Sequence, residues 1–112
     1  MKKADITFRA LQFKPHPVGV TISDNNQHAT LMFKNGFGVS VIFGSRFYSN
    51  GVDNYEVAIL DKSGSVSYNT EITADVLGYI DIKEVCAIMS RVQHLPKDHF
   101  HDYSEQISDE WV

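Results

Sequence analysis

The sequence predicts an α+β fold: an antiparallel, hairpin-rich sheet of about five to six strands packed by one main helix at residues 82–95. Three observations lead there. Asn35-Gly36 separates two apolar runs, and this pair favours a tight hairpin turn. Residues 82–95 carry one apolar stripe at helical spacing, with a capping residue before it and a proline after it. No helical pattern appears before residue 73, so the crossovers that parallel strands require are missing.

Along the chain, Ile6-Thr7-Phe8-Arg9-Ala10 alternates like a strand, with Phe8 and Phe13 as apolar anchors. Lys14-Pro15-His16-Pro17 then interrupts regular structure, because neither proline can donate a ladder hydrogen bond. Residues 18–22 form a short strand candidate that ends in the turn cluster Ser23-Asp24-Asn25-Asn26.

Strands are expected at residues 28–34 and 37–43, on either side of Asn35-Gly36. A two-residue turn of type I′ sets Lys34 against Phe37, Met32 against Val39, Thr30 against Val41 and His28 against Phe43. In that register both faces of the hairpin are substantially apolar, so the face away from the helix needs a cover. After the loop 44–54, residues 55–61 read as a strand, Lys62-Ser63-Gly64-Ser65 as a turn, and residues 66–70 as the returning strand. Residues 73–77 suggest one helical turn ended by Gly78. In the helix, Asp81 is the N-cap and Glu84 completes a capping-box spacing. Ile82, Val85, Cys86, Met89, Val92 and Leu95 make the stripe, and Pro96 stops it.

A chain of 112 residues implies one domain, assigned here to residues 1–97, followed by an acidic tail at 98–112. The only cysteine is Cys86, so no intrachain disulfide can form. No apolar run is long enough to span a bilayer, and MKKADITFRA lacks the apolar stretch of a signal peptide; a cytoplasmic location is expected, without membrane association. Net charge is −4 but divided: residues 1–52 sum to +4 and residues 53–112 to −8. That balance argues against nucleic-acid binding, which needs a basic surface, and permits steering toward a basic partner or head-to-tail self-association.

Chemical signatures are sparse. His94, His99 and His101, with Asp98 and Asp102, supply zinc-type ligands, but not at the spacing of a common finger. Cys86 sits on the apolar stripe, where cysteine acts as a small hydrophobe. Gly36-Phe37-Gly38 lies in a hairpin, with no helix N-terminus to hold a phosphate. Phe33, Phe37, Phe43, Phe47 and Tyr48 could stack on bases, with Lys34 and Arg46 nearby, but they suit a core better. The reading is of a non-enzyme without cofactor or metal.

The tail is more suggestive. Phe100, Tyr103, Ile107 and Trp111 fall on one face of a short C-terminal helix, and Asp102, Glu105, Asp109 and Glu110 form an acidic rim. Such a helix is marginal alone in water and needs a groove, its own domain's or a partner's. These eight residues are the expected protein-binding site.

Three segments carry a resemblance: residues 33–41, which read FKNGFGVSV; residues 55–60, YEVAIL; and residues 73–79, TADVLGY. Together they resemble uncharacterised small accessory proteins of tailed bacteriophages and prophages. The likeness spans roughly residues 30–95, and its motifs are structural, so it transfers no site residue. It implies an accessory protein in the cytoplasm of an infected bacterium, binding a host or phage protein and inhibiting host machinery such as a defence protein. A homo-oligomer is the expected state. Two alternatives stand beside this reading: a small-ligand or nucleotide-binding domain, and an acidic mimic of nucleic acid.

Overall fold

Asn35 decides the register of the central hairpin. In the computed structural model, which describes residues 5–16, 26–67, 70, 72 and 76–96, the turn joins β2 (Gln27–Met32) to β3 (Gly38–Phe43). Phe33 N donates to Phe37 O at 2.7 Å and Gly36 N to Phe33 O at 3.2 Å. The loop is therefore Lys34-Asn35-Gly36, closed by a left-handed glycine at φ 91°. The expected two-residue turn would need positive φ at Asn35 too, and Asn35 does not adopt it. Its side chain is engaged elsewhere. Nδ2 donates to Val92 O at 2.7 Å and to Leu95 O at 3.1 Å, while Oδ1 accepts from Phe37 N at 3.2 Å.

The consequence is a register one residue away from the expected one. Leu31 faces Val39, Ala29 faces Val41 and Gln27 faces Phe43. A slip of one exchanges the two faces of a strand. The observed pairing puts Ala29 and Leu31 with Val39 and Val41, where the core is, and turns Met32, Thr30 and His28 away. The expected double-sided apolar hairpin is thereby corrected: the far face carries His28, Thr30, Met32, Gly38, Ser40 and Ile42.

Among the described residues the sheet has five antiparallel strands in sequence order. β1 (Lys14–Pro15) is a two-residue edge strand, a position where proline's missing N–H does no harm. β4 (Tyr55–Leu60) pairs with β3, and β5 (Leu77–Ile80) pairs with β4. β5 begins at Leu77, the last residue of the expected helical turn, and takes in Gly78, the expected stop. Residues 73–75 and the expected strand at 18–22 lie outside the described residues. The expected return strand at 66–70 reduces, in its described part, to one bridge between Leu60 and Val66 and a hydrogen bond from Ser67 N to Ile59 O.

Helix α1 (Ile82–Gln93) lies on β3 and β4. Asp81 caps it as expected, its carboxylate accepting from Glu84 N at 2.8 Å. Val85, Ile88, Met89 and Val92 are buried, and they pack on Val39, Val41, Val57 and Ile59 in one cluster. Ile88 replaces Ile82 in the stripe: Ile82 is 47% exposed, because the sheet contact is centred on the Ile88 side of the helix.

Residues 6–10 are not a strand. Phe8–Ala10 forms a single 3₁₀ turn, and helix side chains hold the backbone before it. Gln93 takes both hydrogen bonds of Ile6, accepting from N at 2.8 Å and donating to O at 2.7 Å. Asp5 accepts from Ser90 Oγ at 2.6 Å. Alternation predicted a half-buried extended segment, but α1 rather than a strand supplies the partners. Leu11 enters the core, and Phe8 and Phe13 pack against it as expected.

Candidate protein-contact surface

A bulge builds the most distinctive surface of the described molecule. Tyr55 pairs with Ile80 and Val57 with Leu77, so Glu56 stands opposite both Gly78 and Tyr79. Tyr79 lies at φ 57°, and it is the only non-glycine residue described with positive φ. Holding a tyrosine there costs on the order of 1 kcal/mol or more. Gly78 is required by close approach: a Cβ there would lie 2.8 Å from Tyr48 Cβ.

The loop between β3 and β4 meets this bulge. Ser49 is buried, and its Oγ accepts from Gly44 N and Gly51 N at 3.1 Å and donates to Asn54 O at 2.7 Å. Asn50 Oδ1 accepts from Val52 N at 2.8 Å and Asp53 N at 3.0 Å. These bonds shape the loop so that Tyr48 is clamped between two partners. Tyr48 N donates to Glu56 Oε1 at 3.2 Å, and Tyr48 O accepts from Tyr79 N at 2.9 Å.

Both rings nevertheless face solvent, Tyr48 at 59% and Tyr79 at 61% exposure. Their centroids are 6.5 Å apart at 61°, an edge-on arrangement. With Val76 and Gly78 they border an open hollow of about 440 Å³. The backbone is rigidly bonded and the rings are bare.

No protein-family model, curated protein or solved structure matches this chain.

The residues singled out from sequence are distributed differently. Phe100, Asp102, Tyr103, Glu105, Ile107, Asp109, Glu110 and Trp111, with His99 and His101, lie outside the described residues. His94, the third histidine of the metal reading, stands with Nε2 3.2 Å from Asp5 Oδ1 at the helix C-terminus. Among the described residues no three His, Cys, Asp or Glu side chains are grouped as a metal site, and no helix is long and apolar enough to cross a membrane. Cys86 is half-buried. Of the stacking set, Phe33 is buried, Phe37, Phe43 and Phe47 are half-buried, and Tyr48 alone is exposed.

A second cluster lies beside β1 and β2. The His16 ring stands 4.9 Å from that of His28 and 4.6 Å from that of Phe47. Burial pushes the His16 pKa below its usual value, nearby His28 adds to that, and the Glu56 carboxylate opposes it. Sequence reading passed over this trio, since residues twelve and nineteen positions apart meet only through strand pairing. It also passed over Tyr79, whose one signal was an aromatic following glycine in a presumed turn.

Proposed function

We propose that this chain is a non-enzymatic accessory protein of the phage type that acts by binding another protein, and that Tyr48 and Tyr79 are the centre of its contact surface. One observation carries the reading: Tyr79 is held in a costly left-handed conformation, yet it is 61% exposed and its ring stands edge-on to that of the equally exposed Tyr48. Strained backbone concentrates where function over-determines it, and tyrosine is among the residues that dominate binding energy in interfaces. Net charge of −8 over residues 53–112 favours a partner with a basic face. The resemblance of the hairpin and of the segment before α1 supports a phage origin, and with it a host protein, such as a defence protein, as the target in the bacterial cytoplasm. Self-association and a contribution from the acidic tail belong to the same proposal.

The test uses three immobilised baits in lysate of a bacterial host: the intact chain, the Tyr48→Ser/Tyr79→Gly variant, and the chain cut after Lys97. A protein retained by the intact chain and lost by the double variant, whose melting temperature is unchanged, supports the surface. Equal retention by both refutes it. Loss on truncation alone transfers the contact to the tail.

A further inference from the structure

Helix α1 leaves one end of its own side of the sheet to aromatic rings. Gln27 pairs with Phe43 across β2 and β3, and the Phe43 ring lies 5.4 Å from that of Tyr55 on β4. The N-terminal segment, tied to α1 through Gln93, brings two more rings to the same place. Phe8 stands 5.3 Å from Tyr55, Phe13 stands 5.9 Å from Tyr55, and the two are 5.8 Å apart. All four are half-buried. With Gln27 they line a hollow of about 180 Å³ that opens to solvent.

Size restricts what such a hollow can take. Pockets for whole cofactors or nucleotides run from about 300 Å³ upward, whereas a cavity of about 150 Å³ accepts one benzene-sized group. A compact head group fits, with the rest of its molecule outside. The walls restrict it further. Aromatic faces carry negative partial charge and attract a cation that is cheap to desolvate. Burial raises the Tyr55 pKa above its usual value, and the Asp53 carboxylate, two residues earlier in the chain, adds to the rise.

We propose that the hollow walled by Phe8, Phe13, Phe43 and Tyr55 is an aromatic cage that binds a trimethylammonium group. The group enters with its methyls against the four rings. This goes beyond the protein-contact reading and does not rest on it: Tyr55 and Glu56 point to opposite sides of β4, and the tyrosine surface is built on the Glu56 side.

The experiment is a proton NMR titration of the intact protein with choline and with 3,3-dimethyl-1-butanol, which replaces nitrogen by carbon at the same shape. Choline is expected to bind on the order of tenfold more tightly than its neutral isostere, with its N-methyl resonance moved upfield by the rings. Phe43→Leu and Phe13→Leu keep apolar volume and remove a π face, so each should reduce that preference toward equality while the isostere still binds. A parallel titration with Nε-trimethyllysine separates the two sources of the group: tighter binding than choline points to a modified protein side chain, weaker binding to a choline-type small molecule. Equal affinity for choline and the isostere, or no shift with any cation, overturns the proposal on the wild-type protein alone, whether or not the variants fold.

Discussion

Asn35 ties the hairpin loop to the far end of α1, and its removal should show how much that tie contributes. Asn35→Ala abolishes three part-buried hydrogen bonds, to Val92 O, Leu95 O and Phe37 N. Each contributes about 0.5–1.5 kcal/mol net. The carbonyls are partly accessible to water, so the expected loss is about 2–3 kcal/mol. With a urea m-value of about 2 kcal/mol/M, the unfolding midpoint should fall by about 1–1.5 M. Asn35→Asp sharpens the test. It keeps the acceptor for Phe37 N but turns a carboxylate toward two carbonyls at a negative helix end, a further penalty of about 1 kcal/mol. The aspartate variant should therefore be less stable than the alanine variant at neutral pH. The facing carbonyls raise the carboxyl's folded pKa above its unfolded value, so the gap should narrow as pH falls from about 5 and be closed below about 4. An alanine variant with the wild-type midpoint, or an aspartate variant above it, would refute the capping role and the explanation of the register.

Further expectations concern the core, the histidine pair and the strained tyrosine. Met89 is fully buried against the sheet, so Met89→Asp should cost about 4 kcal/mol or more and unfold much of the population, as read by circular dichroism; an unchanged melting temperature would contradict the helix-on-sheet packing. For His16 the folded pKa lies below the usual value near 6.5. The unfolded chain therefore binds the proton first, and His16 destabilises the fold as pH falls through about 6.5 and on to the lower folded value. His16→Gln should flatten that part of the stability–pH curve between about pH 7.5 and 5, and an identical slope in both proteins would contradict it. Tyr79→Gly relieves the positive φ and should leave chemical stability unchanged or raised by up to about 1 kcal/mol; a loss of more than that would mean the ring supports the fold.

Local chemistry made the helix and the hairpin legible. Asp81 and Pro96 mark their ends of α1 in sequence, and Asn35-Gly36 marks a reversal between apolar runs. What escaped was decided by distant partners. The hairpin register depends on Asn35 reaching the carbonyls of Val92 and Leu95, which no local turn preference contains. Ile6 to Ala10 alternates as a strand would, but alternation does not name the partner, and Gln93 of α1 takes its backbone groups. Leu77–Ile80 hid as a strand because Gly78 and a left-handed Tyr79 interrupt the alternation. The tyrosine surface follows from that same bulge. Tyr48 and Tyr79 meet only once β5 pairs with β4 and the loop after β3 closes on it.

If Tyr48 and Tyr79 face a partner protein, site-specific photocrosslinking from that surface should capture it. p-Benzoylphenylalanine would replace Tyr79 in one protein and Val66 in another, both exposed positions at opposite ends of β4. Irradiation in infected or lysed host cells should give one discrete higher-mass adduct from position 79 and none from position 66. No adduct from position 79, or the same adduct from both, would refute a contact surface centred on the two tyrosines.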